Sequence, residues 1–216
     1  MTALHAKFDA VLFDWNGVLC RDRFYAGSFL AARPEALVNI QREFFEGDKS
    51  LINGWMRGHV GYREVHRRIA GLAGAEAHEL DRALVESVQA MRLDPALLNF
   101  AARLKRGGVK TAIVTDNMDV FTIVTVPHHR LGGVFDLIVN SADCGLLKQD
   151  QDGRLFDYAL HRLGAAAGRT LFIDDSPAAV KLFESKGGMG RHFTTAEALT
   201  ETALTETTPD GDIDGP

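Results

Sequence analysis

Cysteine is scarce in this sequence: Cys20 and Cys144 are the only two among 216 residues. Two thiols cannot form a disulfide framework, and they suit a reducing compartment. The first eight residues lack the apolar region of a signal peptide, and no apolar run reaches the length of a membrane span. We therefore expect a cytoplasmic protein with no membrane partner.

An excess of positive charge is also missing, since 24 Lys and Arg stand against 29 Asp and Glu. Residues 201–216 hold five of these acids and no Lys or Arg, so the first 200 residues are balanced. A balanced chain offers no basic face for nucleic acid, and we expect no nucleic-acid partner. The polar, acidic segment 201–216 is interpreted as a flexible tail.

Several motifs that define other enzyme classes are absent as well. The first apolar run is not followed by GxGxxG, which argues against a dinucleotide site there. The sequence contains no P-loop, no GxSxG nucleophile turn and no HExxH zinc motif. The chemistry must therefore come from another arrangement of polar residues.

Short apolar runs alternate with helical patterns along most of the chain. The runs read as buried parallel strands, because each is β-rich and three of the four end at a polar or acidic residue. The later runs are separated by amphipathic stretches with Asp-Pro or Ser-Pro starts and Gly stops. This alternation predicts an open α/β fold. The predicted strands are 10–13, 112–114, 137–139 and 171–173, and the predicted helices are 94–108, 155–164 and 176–188.

The gap between the first two strands is too long for a single crossover. Residues 23–93 read as mostly helical, which predicts a separate helical cap inserted after the first strand. The turns at 20–22 and 93–95 would be its two hinges. The predicted organisation is a core from residues 1–20 and 94–200, a cap from 21–93 and the tail 201–216.

Polar residues follow the carboxyl ends of the predicted strands, where ligands bind in open parallel sheets. Three carboxylates brought together there would repel each other, and a hard divalent cation relieves this repulsion. An all-oxygen ligand set suits Mg²⁺, and a lysine, a hydroxyl and turn amides suit a phosphate. These strand-end residues are Asp14, Thr115, Asp116, Asn117, Lys148, Asp174 and Asp175.

Each of these features has a structural explanation when it is taken alone. Asp14 could be an ordinary turn residue or helix cap, and the stretch at 115–117 could be only a turn. Lys148 alone would be a surface lysine, and Ser176 with its acidic neighbours could simply begin a helix. Their order at four successive strand ends, around an inserted cap, favours a functional site.

The motifs FDWNGVL, AIVTDN, Lys148 and LFIDDS, in this order, resemble the four motifs of the haloacid dehalogenase-like (HAD) hydrolase superfamily. The resemblance covers residues 8–195, and its first and fourth motifs are the specific ones. It implies a Rossmann-like open parallel sheet core with an inserted α-helical cap domain. It also implies Mg²⁺-dependent phosphatase activity through an aspartyl-phosphate.

The resemblance also assigns roles by motif position. Asp14 would be the nucleophile and a metal ligand, and Lys148 would neutralise the charge of the nucleophile and the phosphoryl group. Residues beside these positions, Trp15, Asp116 and Asn117, are interpreted as substrate-binding. The remaining assignments are the backbone carbonyl of Asn16 as a metal ligand, Thr115 as the phosphate-binding hydroxyl, Asp175 as a direct metal ligand and Asp174 as a ligand through water.

Three positions depart from the family pattern. Asn16 stands where phosphatases of this family have the Asp that protonates the leaving oxygen and then activates water. Gln149 follows Lys148 in place of the usual Pro, and the loop after it is about two residues longer. Ala179 replaces an Asn or Asp. The first departure bears on catalytic rate, and the other two bear on geometry.

The cap segment 54–68 is basic and aromatic. It could be a solvated helix face that needs no function, or it could be the specificity surface over the phosphate pocket. In the second case His59, Tyr62 and Arg63 would contact the substrate.

The leading hypothesis is a Mg²⁺-dependent phosphomonoesterase acting on a small phosphorylated metabolite. Hydrolytic dehalogenation shares the fold and the nucleophile, but it needs no metal, and the Asp174–Asp175 pair argues against it. A non-catalytic phosphate- or phosphoprotein-binding module that lost its acid at Asn16 is the third hypothesis. Receiver domains also use acids, Thr and Lys at strand ends, but their acidic pair comes first and they lack a cap. The sequence gives no oligomeric state.

Overall fold

Strand β1, Ala10–Phe13, is the central strand of a five-stranded parallel sheet. The computed structural model describes residues 7–26 and 28–195. The strand order is β3-β2-β1-β4-β5, so β1 pairs with β2 on one side and with β4 on the other. The other strands are β2 Lys110–Thr115, β3 Leu137–Asn140, β4 Thr170–Asp174 and β5 Met189–His192.

The four strands predicted from the apolar runs are confirmed, and the open parallel sheet is the predicted one. All four residues of β1 are buried, because Val11 and Phe13 face one apolar cluster while Ala10 and Leu12 face the other. A sheet covered on both faces needs continuous apolar strands. Strand β5 is an edge strand with no apolar run, which is why the sequence pattern missed it.

The inserted helical segment leaves the sheet after β1 and returns before β2. Its two ends lie side by side, because Cys20 pairs with Leu93 and the Asp94 amide donates to the Leu19 carbonyl at 2.9 Å. This segment is the α-helical cap of the predicted fold class. Its elements are a 3₁₀ turn Phe29–Ala32, α1 Pro34–Asn39 with a wider continuation Ile40–Glu46, α2 Lys49–Met56, α3 Tyr62–Ala73 and α4 Ala77–Gln89.

The remaining helices belong to the core, where the first of them precedes β2 and the others follow strands of the sheet. Asp94 caps α5, whose Pro95 lies at the first turn, and Ser176 caps α10 in the same way. The predicted helices 94–108, 155–164 and 176–188 are therefore confirmed. These elements are α5 Pro95–Arg106, α6 Val126–His128, α7 Leu131–Val134, α8 Ser141–Cys144, α9 Arg154–Leu163 and α10 Pro177–Ser185.

A buried polar chain fastens the inserted helices to each other. The Tyr25 hydroxyl lies 2.8 Å from His66 Nε2, and His66 Nδ1 lies 2.6 Å from Asp81 Oδ1. A carboxylate only accepts, so Nδ1 donates to Asp81 and Nε2 accepts from Tyr25. His66 has no exposed surface, and its place in α3 ties the chain before α1 to α4.

The exact boundaries of core, cap and tail stay predictions, and the tail at 201–216 lies outside the described residues. Over the part of the chain that the structure describes, no helix has both the length and the apolar character to cross a membrane.

Candidate active site

The sheet register brings the strand-end residues to one edge. Phe13 is level with Ile113 on β2 and with Ile173 on β4. Asp14 follows Phe13 and Asp174 follows Ile173, so these two acids lie side by side where β1 and β4 end. Thr115, the last residue of β2, lies two residues after Ile113. Carboxyl ends of neighbouring parallel strands form the ligand-binding edge of such sheets.

Lys148 joins the two buried carboxylates. Its Nζ lies 2.8 Å from Asp14 Oδ1 and 2.6 Å from Asp174 Oδ2. All three residues are buried. Asp174 Oδ1 also accepts the Ser176 amide at 2.7 Å, which fixes this carboxylate at the start of α10. The group is therefore a buried ammonium between two acids.

Burial and charge act against each other in this group. Burial raises the pKa of Asp14, and the charge of Lys148 opposes that effect. Burial alone would lower the pKa of Lys148, but the carboxylates of Asp14, Asp174 and Asp116 outweigh it and hold the pKa above its ordinary range. The surrounding carboxylates therefore favour the protonated form of Lys148.

The residues present fit a hard divalent cation. Asp14, Asp174 and Asp175 each offer a carboxylate oxygen, and these three oxygens lie within 4.8 Å of one another. Such an all-oxygen set suits Mg²⁺. Burial raises the pKa of Asp175, and the Asp14 charge adds to it, so a cation would relieve repulsion at this place.

Gly17 makes room for this cluster. It has a positive φ of 78°, and a Cβ built on it would lie 2.0 Å from Asp175 Oδ2. Any side chain would displace that carboxylate, so the turn after β1 must carry glycine at this position. The first and fourth motifs are thus in direct contact.

Two buried polar atoms beside the cluster lack hydrogen-bond partners among the described residues. These are the Thr115 hydroxyl and the Asn117 Nδ2 amide, both on residues with at most 1% exposure. Buried polar groups are normally satisfied, and an unsatisfied group costs free energy. Both groups are donors without a partner among the described residues, and their predicted role in phosphate binding stays a prediction.

The turn that carries Trp15 and Asn16 is closed by backbone hydrogen bonds. Gly17 N donates to Cys20 O at 2.8 Å, and Cys20 N donates to Trp15 O at 3.0 Å. These two bonds do not use the Asn16 carbonyl. The indole of Trp15 is buried and packs edge-on against Phe121 at 5.1 Å. The Trp15 side chain therefore belongs to the core, and substrate binding by Trp15 stays a prediction.

Asp116 is placed by the loop that carries Lys148. Its Oδ1 accepts the Lys148 amide at 2.8 Å. Burial raises the pKa of Asp116 to about 6, with the nearby Asp14 and Asp174 adding to the effect and Lys148 opposing it. This carboxyl therefore changes its protonation state close to neutral pH.

His59, Tyr62 and Arg63, the three residues proposed from the cap segment, make their contacts with residues outside the acidic cluster. His59 is exposed, and the Arg63 guanidinium lies over the Tyr62 ring and 3.9 Å from Asp81. Among the hydrogen bonds and ion pairs of the described residues, none joins them to Asp14 or Lys148. Their role in specificity stays a prediction.

Sequence reasoning missed the residues that hold the inserted segment on this edge. Asp119 accepts Trp55 Nε1 at 2.7 Å and the Tyr62 amide at 3.1 Å. Arg57 donates two hydrogen bonds to Asp150, both at 2.7 Å. The only signal for Asp119 and Asp150 in the sequence is their position, three residues after Asp116 and two after Lys148.

A family model for haloacid dehalogenase-like hydrolases matches residues 8–184. The chain belongs to this family. Membership makes it a HAD-like hydrolase and confirms the superfamily assignment drawn from the four motifs. No curated protein sequence matches the chain significantly.

Solved structures of HAD enzymes share the fold. A HAD family enzyme from Bacteroides thetaiotaomicron is 17% identical with a TM-score of 0.71, over 90% of this chain and 98% of that one. A complex of a mutant of that enzyme with magnesium and inorganic phosphate is 14% identical with a TM-score of 0.64, over 87% and 94%. L-2-haloacid dehalogenase from Xanthobacter autotrophicus, with chloropropionic acid covalently bound, is 18% identical with a TM-score of 0.62, over 94% and 85%. At these identities the likeness concerns the fold alone.

Two departures from the HAD pattern can now be located. Asn16 lies in the tight turn between Asp14 and Gly17, so an amide stands two residues after the predicted nucleophile. The loop after Lys148 contains a short 3₁₀ turn, Asp150–Asp152, and its greater length relative to the family stays a prediction. The HAD hydrolase thus keeps its acidic cluster while the acid of the first motif is missing.

Proposed function

We propose that this HAD-like hydrolase cleaves phosphomonoesters of a small metabolite, with Mg²⁺ as cofactor and Asp14 as nucleophile. The observation that carries the proposal is the cluster of Asp14, Asp174 and Asp175, with three oxygens within 4.8 Å. Displacement of a halide by a carboxylate needs no metal, whereas attack on a phosphate dianion by an anion does benefit from one. The magnesium and phosphate bound by a HAD enzyme of the same fold support this choice.

The reaction divides into two steps at Asp14. In the first, an Asp14 oxygen bonds to phosphorus as the bond to the leaving oxygen breaks, and the leaving group takes up a proton. In the second, water attacks the aspartyl phosphate, which releases inorganic phosphate and restores the carboxylate. Lys148, 2.8 Å from Asp14, stabilises the negative charge throughout.

The unsatisfied donors at Thr115 and Asn117 would hold phosphoryl oxygens during both steps. When bound, Mg²⁺ would screen the repulsion between Asp14 and the phosphate and orient both. The residues that would hold it are Asp14, Asp174 and Asp175, with the Asn16 carbonyl.

Hydrolytic dehalogenation is the second candidate, and Asn16 is the observation that favours it. A halide departs without a proton, so the missing acid costs that reaction nothing, whereas an alkoxide leaving group needs one. The Xanthobacter dehalogenase shares the fold. The three-carboxylate cluster keeps phosphate hydrolysis ahead, because dehalogenation gives no reason to place a third carboxylate, that of Asp175, beside Asp14 and Asp174.

One experiment separates the candidates. Purified protein is assayed for phosphate release from an aryl phosphate and for chloride release from 2-chloropropionate, each with Mg²⁺ and with excess chelator. We expect phosphate release that disappears with chelator and returns with Mg²⁺. Chloride release that survives the chelator would establish dehalogenation instead. Binding of Mg²⁺ and phosphate without turnover of either substrate would establish a binding module.

A further inference from the structure

The inserted segment touches the core immediately beside the loop that carries Lys148. The Ser141 hydroxyl donates to the Met56 carbonyl at 2.6 Å. Gly58, with a φ of 68°, lies so close to α8 that a Cβ on it would be 2.1 Å from the Ala142 carbonyl oxygen. Arg57 lies between these two contacts, so its backbone is held against the core.

The Arg57 side chain reaches the lysine loop directly. Its Nε and Nη2 lie 2.7 Å from the two oxygens of Asp150, and the two side chains are only 25% and 23% exposed. A fork-to-fork pair of this kind is stronger and more directional than a single contact between surface charges. The hydrogen bonds to Asp150 raise the pKa of Arg57, and the charges of Asp150 and Asp116 add to the effect.

Asp150 in turn holds the backbone next to Lys148. Its Oδ2 accepts the Leu147 amide at 2.8 Å, while Asp116 Oδ1 accepts the following amide, that of Lys148, also at 2.8 Å. Two consecutive amides at the base of the catalytic lysine are therefore anchored by two carboxylates. One of these carboxylates is itself fixed by Arg57.

The loop after Lys148 contains residues in an unfavourable backbone conformation. Gln151 and Asp152 have φ values of 49° and 55°, and Gly153 continues with 80°. A non-glycine residue is less stable in the left-handed region than in the right-handed one. Hydrogen bonds inside the loop and contacts from outside it offset this cost, and the Arg57–Asp150 pair is one of the outside contacts. Lys186 supplies another by donating to the Asp152 carbonyl at 2.8 Å.

We propose that Arg57 is a positioning residue, which acts through Asp150 to fix the backbone that presents Lys148 to Asp14. The packing of the inserted segment on the core then also fixes the alignment of Lys148. The catalytic meaning of this alignment rests on the proposed function. The anchoring of the loop itself does not.

The first test is amide hydrogen exchange on the metal-free protein, which needs no turnover. Arg57→Ala should speed exchange in the peptide covering 145–153 by about tenfold, because Asp150, which accepts the Leu147 amide, loses its support. Arg57→Lys, which keeps the charge but not the fork, should lie between Arg57→Ala and wild type. Arg42→Ala is the matched control, since it removes an exposed pair with Glu43 in the same inserted segment. Circular dichroism checks that each variant folds.

The second test is the kinetics of aryl phosphate hydrolysis with Mg²⁺. Arg57→Ala should lower kcat about tenfold and leave KM within about twofold, because the lysine is misaligned while no substrate contact is lost. Combining Arg57→Ala with Asp150→Asn should add little to either variant alone, since both act on one path. A rise in KM with kcat unchanged would make Arg57 a substrate-binding residue and overturn the proposal.

The two tests fail separately. Unchanged exchange at 145–153 in Arg57→Ala overturns the anchoring role, whatever the turnover. Faster exchange in a protein that releases no phosphate from any ester supports the anchoring role and rejects the proposed function.

Discussion

Lys148 Nζ lies 2.8 Å from Asp14 Oδ1 and 2.6 Å from Asp174 Oδ2, so one buried ammonium links the ends of two adjacent strands. The lysine is therefore a structural counter-ion as well as a candidate catalytic group. Burial of two neighbouring carboxylates is tolerable only while a cation lies between them. In the proposed mechanism, stability and reactivity at this edge of the sheet depend on the same charge.

Lys148→Met should therefore destabilise the protein as well as inactivate it. Removing one partner from a buried charge group costs about 3–5 kcal/mol, because the remaining acids are left uncompensated. Mg²⁺ should recover more stability in this variant than in wild type, since it would be the remaining cation available to the cluster. The measurement is urea unfolding with and without Mg²⁺. Lys49→Met, an exposed lysine in α2, is the control, and equal stability of the two variants would contradict the prediction.

Asp14→Asn should keep the fold and lose activity by roughly 10³-fold or more, the scale seen when a nucleophile is removed. The amide has nearly the shape of the carboxylate, and the salt bridge from Lys148 to Asp174 remains. Borohydride reduction of acid-quenched wild type should convert an aspartyl phosphate to homoserine at position 14, which peptide mass spectrometry detects. Turnover of Asp14→Asn close to wild type would reject the covalent mechanism.

The sequence was most informative where a residue's role follows from its place on a strand. Asp14, Thr115 and Asp174 could be brought together because parallel strands in register end at one edge. Gly17 of the first motif and Asp175 of the fourth also meet at this edge. Local periodicity also gave the helices and the existence of the insertion.

Contacts between the inserted segment and the core could not be obtained in this way. Arg57 and Asp150 are 93 residues apart, and nothing in the local pattern of either relates them. The pairing depends on where the α2 terminus rests on the core. For the same reason the basic stretch at 54–68 gave His59, Tyr62 and Arg63 as candidates and passed over Arg57. Strand β5 was missed because an edge strand needs no apolar run.

His66→Ala should destabilise the inserted helices by about 1–3 kcal/mol, because the Tyr25 hydroxyl, which is buried, loses its acceptor. Burial lowers the pKa of His66 below its ordinary 6.5, against the opposing effect of Asp81. The fold therefore prefers the neutral ring, so its contribution is present above pH 6.5 and is lost as the pH falls. The difference in unfolding free energy between wild type and His66→Ala should shrink from pH 7.5 to pH 5. A constant difference would mean that the pKa of His66 is the same in the folded and the unfolded protein.

The last prediction concerns the proton that Asn16 cannot supply. General acid catalysis is worth about 10²–10⁴-fold, so wild type should favour aryl phosphates, whose leaving groups need little protonation, over alkyl phosphates. Asn16→Asp should raise the turnover of alkyl phosphates more than that of aryl phosphates. The measurement is a series of phosphomonoesters with graded leaving-group pKa, run on both forms.

Asp116, with its pKa of about 6, is the candidate group that protonates the leaving oxygen in wild type. It is protonated below this pH and ionised above it, so the donor form is lost as the pH rises. The ratio of kcat/KM for an alkyl phosphate to that for an aryl phosphate should therefore fall above pH 6. Each value is first divided by the fraction of that ester present as the dianion, because alkyl and aryl phosphates ionise at different pH. Asp116→Asn keeps an acceptor for the Lys148 amide and should lower the ratio and remove its pH dependence. A ratio that is flat in wild type and unchanged in Asp116→Asn would mean that the proton comes from another group. In that case, a rise in the ratio on Asn16→Asp would show that the residue at position 16 limits alkyl phosphate hydrolysis.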